Sequence, residues 1–256
     1  MPAINAGAKG DLLARWIDPF LRPVMKAKSQ AAHEPTAVSR PEQSGQVQSG
    51  GADPDRVLLF GNGPAAGWGV ASHDAAIPGH LAREFSALTG HPVEVNVIAD
   101  PAVGCAAAPA LLAGLDLSAY DAVVVILGSS DALQLLPTHR WELAMTAVIR
   151  TLLDKTAVAT DIVIMGIQPL SSIPAFSVRP NGLADEHASI LNEITRQACR
   201  GRVTYLEPPD VRHPGLALTP GPASEGHWNA VYHEWGKIQA GRLQQLRAAN
   251  PAWRSD

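Results

Sequence analysis

From about residue 56 onwards, short apolar runs alternate with longer amphipathic stretches. The apolar runs are rich in Val, Ile and Leu, which is typical of β-strands. They predict five strands, at residues 57–60, 93–98, 122–127, 162–166 and 203–206. The runs AVVVIL and IVIM are apolar without alternation, as expected for strands that helices cover on both faces.

The stretches between these runs carry apolar residues at helical spacing. They predict helices at about 76–89, 106–112, 140–155, 184–199 and 229–249. Because each predicted strand is followed by a helix, residues 56–250 are expected to form a parallel sheet between two helical layers. Ligands bind such sheets at the carboxyl ends of the strands. We therefore expect the site where the loops after the first, second, third and fifth strands meet.

The N-terminal 26 residues predict an amphipathic segment, in which Pro19 kinks or ends the helix. Charged residues interrupt its apolar run, so it makes a poor signal peptide. Residues 9–28 carry five basic and two acidic side chains, a pattern that suits weak contact with a membrane surface. A helix that docks on the chain's own domain, or that is simply frayed, is the preferred interpretation, and the compartment stays open between the cytoplasm and the membrane periphery.

Residues 27–55 are rich in Ser, Gln, Gly and Pro, and contain almost no large apolar residues. This composition predicts a flexible linker between the amphipathic segment and the domain.

The overall composition excludes several classes of protein. Of 256 residues, 46% are hydrophobic and 17% charged, so the chain can bury a sizeable core. The net charge of −4 and the lack of any Lys/Arg cluster argue against a nucleic-acid partner. Two cysteines do not make a disulfide framework, and no apolar run is long enough to span a membrane.

Four loops next to these elements carry chemically distinctive residues. The first reads GNGPAAGWG (61–69), and the second reads DPAVGC (100–105). The third reads GSSD (128–131), and the residues before the last helix read SEGHWN (224–229). Each motif is weak by itself, but the four together, in this order, are fairly specific.

These loops resemble the motifs of the SGNH/GDSL hydrolase superfamily of esterases and acyl hydrolases, over about residues 57–245. The resemblance implies a flavodoxin-like, three-layer α/β/α fold with a five-stranded parallel sheet. In that family the first loop is G-D-S, whose Ser is the nucleophile, and the second supplies an oxyanion-hole glycine. The third is G-x-N-D, whose Asn is another oxyanion donor, and the last is D-x-x-H, with the base His and its Asp.

This chain keeps two of the family's functional positions and departs from the others. Gly104 matches the oxyanion glycine, and His227 matches the base. Gly63 stands where the nucleophilic Ser belongs, Ser130 where the oxyanion Asn belongs, and Ser224 where the triad Asp belongs.

Two further residues of the motifs can be placed in the same way. Asn62 replaces the Asp before the nucleophile, whereas Asp131 matches the Asp of the third motif and is expected to cap that loop. Cys105 begins a helix on a different loop from Gly63, so we interpret it as a buried, unreactive thiol. Trp68 and Trp228 either line a pocket or simply pack.

The groups that this sequence lacks are all required for one reaction, acyl transfer through a serine nucleophile. Gly63 has no side chain, so no acyl-enzyme can form there, and a base His without a carboxylate partner loses its enforced tautomer. We therefore expect a protein that binds an acyl, lipid or glycan ligand, or a partner protein, without serine-esterase chemistry. The alternative is an active hydrolase in which His227, with Glu225 as a substitute carboxylate, activates water while Gly104 and Ser130 hold the oxyanion.

The same first loop also matches the glycine-rich loop of short-chain dehydrogenases, as Gly63-x-x-x-Gly67-x-Gly69. That family needs a Tyr-x-x-x-Lys motif, which this sequence lacks, and Pro64 removes a backbone N–H that would face phosphate. No H-x-x-x-H or C-x-x-C spacing occurs either. We therefore predict neither a cofactor nor a metal ion.

Overall fold

The computed structural model describes residues 40–172, 181–209, 225–250 and 253. Its centre is a six-stranded sheet in the order β1-β3-β2-β4-β5-β6. The strands are β1 (Ser44–Gln48), β2 (Asp55–Gly61), β3 (Val93–Ala99), β4 (Ala122–Ile126), β5 (Asp161–Met165) and β6 (Val203–Leu206).

Strands β2 to β6 pair in parallel and correspond to the five predicted strands. Counted along the chain, these five lie in the spatial order 2-1-3-4-5, which is the flavodoxin-like arrangement. The predicted α/β fold class is therefore confirmed. The order reverses between β2 and β4, and a crevice is expected outside their carboxyl ends.

The sixth strand corrects the predictions of a five-stranded, all-parallel sheet and of a linker over 27–55. Residues 44–48, at the linker's C-terminal end, form β1, which pairs antiparallel with β3. Ser44 lies opposite Ile98 and Gln48 opposite Glu94. An edge strand needs only one protected face, and in β1 the side chain of Val47 is the only buried one. This explains why so polar a segment forms a strand.

The helices of the described residues are α1 (Ile77–Thr89), α2 (Ala108–Ala113), α3 (Ser129–Leu133), α4 (Thr138–Lys155), α5 (Asn181–Ala198) and α6 (Glu225–Ala249). Five of them match the predicted helices to within a few residues at each end, and α3 is an addition. Short 3₁₀ turns at Gly63–Ala66, His73–Ala75 and Leu170–Ser172 also went unpredicted.

The helices form two layers around the sheet. Helix α1 packs against α6, whereas α4 packs against α2 and α5. Strands β4 and β5, between the layers, are buried along their whole length, in agreement with their unbroken apolar runs. Burial of this apolar surface is the main favourable contribution to folding.

Several sequence predictions lie outside the described residues: the amphipathic segment at 1–26 with its membrane-contact stretch 9–28, the first part of the linker (27–39), and Ser224. Among the residues that are described, no helix combines the length and the apolar character needed to cross a bilayer.

Candidate active site

A cleft opens at the carboxyl ends of the central strands, with an empty volume of about 340 Å³ that includes the solvent-filled space at its mouth. It receives residues from the loops after β2, β4 and β5 and from one face of α6. The lining residues are Gly63, Pro64, Trp68, Ser129, Gln168, Trp228, Val231, Tyr232 and Trp235. None of these side chains carries a charge, so the cleft is adapted to an uncharged, largely apolar molecule.

Gly63 and Ser129 form the floor of this cleft. The backbone at Gly63 has a φ of +56°, in the left-handed region that favours glycine. A Cβ atom built at position 63 would lie closer than 3.0 Å to the Ser129 hydroxyl oxygen. The space in which a side chain of residue 63 would begin is therefore occupied by the hydroxyl of Ser129.

Helix α6 supplies the aromatic wall of the cleft. Trp228 stacks on Tyr232, with ring centroids 6.0 Å apart and an interplanar angle of 22°. The Tyr232 hydroxyl donates to the backbone carbonyl of Trp68 at 2.7 Å, which joins this wall to the first loop. Trp228 also packs on Gly69, where a Cβ would lie closer than 3.0 Å to the indole ring. The two tryptophans thus border the cleft but leave it open.

The loop after β5 places Gln168 in the cleft. Asn192 of α5 fixes that loop through two hydrogen bonds with Ile167: its Oδ1 accepts from the Ile167 N–H at 2.7 Å, and its Nδ2 donates to the Ile167 carbonyl at 2.9 Å. The next side chain, Gln168, is buried, and its Oε1 has no hydrogen-bond partner among the described residues. The same is true of the indole Nε1 of Trp235.

Behind the floor, buried polar groups connect the first three loops. Asn62 donates from Nδ2 to the Val103 carbonyl at 2.6 Å, which joins the first loop to the second. The carboxylate of Asp131 accepts from the backbone N–H of Cys105, at 3.1 and 3.3 Å, which joins the third loop to the second. Asp131 was expected to cap its own loop, and this tie to the second loop is a further role.

Burial sets the ionisation of the groups in this connection. It raises the pKa of the Asp131 carboxyl to about 6, although the hydrogen bond from the Cys105 N–H acts in the opposite direction. Burial, together with the neighbouring Asp131 carboxylate, raises the pKa of the Cys105 thiol far above its usual value. A thiol in this state stays protonated and is a poor nucleophile, in agreement with the interpretation from the sequence.

His227 lies in the first turn of α6, next to the aromatic wall. Its ring meets the Trp228 ring edge to face, with centroids 5.8 Å apart, and burial lowers its pKa. A lowered pKa keeps the imidazole neutral near pH 7, the form in which it can accept a proton. Ser224 lies just outside the described residues, and the described part of Glu225 is its backbone.

Comparison with known proteins decides the family. The sequence model of the GDSL-like Lipase/Acylhydrolase family matches residues 59–235, more than half of the chain. The chain belongs to this family. A comparison with curated proteins gives no match.

Two solved structures share the fold of this GDSL-family chain. The lipase Lip_vut3 from a goat rumen metagenome has a TM-score of 0.54 at 14% identity, with 78% of this chain and 99% of the lipase covered. The salicylyl-acyltransferase SsfX3 from a tetracycline biosynthetic pathway has a TM-score of 0.52 at 18% identity. That alignment covers 79% of this chain and 57% of the acyltransferase, so the present chain spans little more than half of that relative.

The residues at the family's motif positions do not all lie at the cleft. Gly63 lies on the cleft floor, and His227 is adjacent to the lining residue Trp228. Gly104 and Ser130 are not among the lining residues. A Cβ at Gly104 would face the Asp131 carboxylate at 3.2 Å, and the Ser130 hydroxyl donates to the Pro101 carbonyl at 3.4 Å. The oxyanion candidates of this GDSL-family chain therefore take part in contacts between loops.

Cofactor and metal chemistry find little support in the geometry. A dinucleotide-binding loop opens directly into a helix, whereas α1 begins only at Ile77, after the 3₁₀ turn that contains Pro64. Across 40–172, 181–209 and 225–250, no three His, Cys, Asp or Glu side chains cluster as a metal site would require.

Sequence reasoning missed several lining residues of this GDSL-family cleft. Trp228 was considered as a pocket residue, but Val231, Tyr232 and Trp235 were not. They follow it at the i+3, i+4 and i+7 spacing of one helix face, a signal that was present in the sequence. Gln168 follows the fourth predicted strand, whose loop was not expected to contribute. A lone Gln in a loop has no pattern that would reveal it.

Proposed function

We propose that this GDSL-family chain binds an apolar, uncharged acyl or related group in its aromatic cleft and does not use serine acyl transfer. Gly63 carries the proposal, because the nucleophile's position has no side chain and the hydroxyl of Ser129 fills the adjoining space. A covalent acyl intermediate needs an oxygen or sulfur nucleophile at the reacting carbon. Position 63 offers neither.

The remaining contacts support the same conclusion. An oxyanion hole needs donors aimed at the developing charge. Here the Ser130 hydroxyl donates to the Pro101 carbonyl at 3.4 Å, and neither Gly104 nor Ser130 is among the residues that line the cleft. This arrangement does not favour the scheme in which His227 activates water while Gly104 and Ser130 hold the oxyanion.

One observation favours a second candidate, an active hydrolase with a relocated nucleophile. The Ser129 hydroxyl lies beside the vacant position 63 and lines the cleft, so it meets any bound ester from nearly the same place. Such a hydrolase would form its acyl-enzyme on Ser129, with His227 as the base.

Ester turnover separates the two candidates. The full chain is assayed with p-nitrophenyl acetate and butyrate beside His227→Ala, Ser129→Ala and the exposed control Ser189→Ala. We expect all four proteins to match the uncatalysed rate, and a fluorophosphonate probe to leave no adduct. Wild-type turnover that disappears in His227→Ala, with or without an adduct on Ser129, would overturn the proposal.

Binding is tested separately from chemistry. Isothermal titration calorimetry with methyl 4-phenylbutanoate, an uncharged ester with an aromatic body, is expected to show saturable binding to the wild-type chain. Trp228→Ala removes half of the stacked pair and should weaken this binding at least tenfold. Absence of binding by the wild-type protein would refute the ligand-binding role.

A further inference from the structure

We propose that the natural ligand of the cleft carries an uncharged group that both donates and accepts hydrogen bonds, such as a primary carboxamide, on an apolar body. The inference rests on the proposed function, since it specifies the chemistry of the molecule that the cleft binds. It comes from two buried polar atoms that lack partners, each in a side chain that lines the cleft.

The two atoms belong to Gln168 and Trp235. Gln168 is 5% exposed and Trp235 is 1% exposed, so bulk water does not supply hydrogen-bond partners to either side chain. The Oε1 of Gln168 and the Nε1 of Trp235 have no hydrogen-bond partner within the described part of the chain. Buried polar atoms are nearly always paired in folded proteins, because an unpaired one destabilises the fold.

These atoms have opposite requirements. The amide oxygen of Gln168 only accepts a hydrogen bond, whereas the indole N–H of Trp235 only donates one. A ligand that satisfies both must offer a donor and an acceptor, as a carboxamide does. An ester has acceptors alone and leaves Gln168 unpaired, and a carboxylate brings a charge into a lining that carries none.

Both side chains are held by rigid elements. The two hydrogen bonds from Asn192 fix the backbone of Ile167, directly before Gln168. Trp235 lies in the middle of α6, one helical turn beyond the Tyr232 that is anchored to the first loop. Groups held in this way lose little freedom when a ligand binds, which raises affinity and specificity.

Unpaired buried groups also occur away from the cleft, for example in Gln239. Gln168 and Trp235 differ from it because they line the same open space, with complementary hydrogen-bonding character. The conjunction of the cleft, the acceptor and the donor carries the inference.

Three matched probes test it by calorimetry on the full chain: 4-phenylbutanamide, methyl 4-phenylbutanoate and 4-phenylbutyrate. We expect the amide to bind about tenfold more tightly than the ester, and the carboxylate to bind most weakly. Gln168→Leu should weaken the amide more than the ester and so reduce the preference for the amide to threefold or less. Trp235→Phe removes the donor that an amide oxygen and an ester oxygen can both use, so it should weaken the two probes to a similar extent. The exposed control Gln134→Leu should retain the tenfold preference for the amide over the ester.

Thermal unfolding without ligand adds a second measurement. Removal of an unpaired buried oxygen should leave the Tm of Gln168→Leu unchanged or higher, which a purely structural role would not allow. Equal affinity of the wild type for amide and ester, or equal loss of both in Gln168→Leu, would overturn the inference while ligand binding stands. If none of the three probes binds, the proposed function itself fails, and the inference with it.

Discussion

Two sets of buried polar groups near the cleft differ in their hydrogen bonding. Those behind the cleft floor make hydrogen bonds that join neighbouring loops. Asn62 donates from Nδ2 to the Val103 carbonyl, although its Oδ1 has no partner in the described chain, and Asp131 accepts from the Cys105 N–H. Those in the cleft wall, Gln168 and Trp235, each present an atom without a partner in the described chain.

The difference separates architecture from chemistry. The hydrogen bonds of Asn62 and Asp131 hold the first three loops together behind the cleft. The unpaired groups lower stability unless something binds them. Both sets therefore include an unpaired atom, but of these residues only Gln168 and Trp235 line the cleft.

The largest expected effect comes from placing a serine at position 63. Gly63→Ser forces a side chain into the left-handed region and against the Ser129 hydroxyl. We expect it to lower the free energy of unfolding by about 2–4 kcal/mol, measured by urea denaturation. Adding Ser129→Ala removes the nearest atom and should recover part of the loss. A fully stable Gly63→Ser protein would show that the floor is not filled as described.

The connection between the second and third loops comes next in size. Asp131→Ala leaves the buried N–H of Cys105 without its acceptor and should cost about 2 kcal/mol in urea denaturation. Asp131→Asn keeps an acceptor oxygen and should cost clearly less. Equal losses in the two variants would mean that the hydrogen bond contributes little to the connection.

Asp131 also predicts a pH dependence of stability. Burial raises its pKa from 3.8 to about 6 in the folded protein, so the folded state holds this proton more tightly than the unfolded state. Its contribution to stability is complete below about pH 4 and is lost as the pH rises to about 6. The loss reaches at most about 1.4 kcal/mol for each pH unit crossed.

The measurement compares wild type with Asp131→Asn across that pH range, since other groups titrate in parallel. Burial lowers the pKa of His80 to about 4, which makes the folded state less stable as the pH falls. This contribution cancels in the difference between the two proteins. A constant difference from pH 4 to pH 6 would contradict the raised pKa of Asp131.

The smallest expected effect has the opposite sign. Gln239 in α6 is fully buried, and both polar atoms of its side chain lack partners in the described chain. Gln239→Leu should stabilise the protein by up to about 1 kcal/mol in thermal unfolding and leave probe binding unchanged. A loss of binding would place Gln239 in the ligand site and extend the set of unpaired wall groups beyond the cleft.

The sequence was most informative where burial is uniform. Apart from Asp161 at the start of β5, the residues of β4 and β5 are apolar because both faces are covered, and their predicted ends agree with the structure to within one residue. Strand β1 escaped notice because an edge strand buries little: its sequence, SGQVQ, has only Val47 to signal a buried face. Helix α3 escaped because five residues are too few to show a period.

The candidate site was predicted in outline only. The glycine-rich loop and the empty position at Gly63 could be recognised from the motif, because a motif fixes residue types at fixed distances. The Ser129 hydroxyl beside Gly63 and the Gln168 oxygen in the wall result from tertiary packing. Nothing in their local sequence distinguishes them from other polar residues in loops.

Strand β1 has a consequence beyond completing the sheet. Without it, β3 would present a row of free backbone donors and acceptors, to which a strand from another molecule could attach. Strand β1 covers that row. It is short and mostly polar, so the new edge of the sheet offers little apolar surface to a strand of another molecule, which disfavours edge-to-edge aggregation.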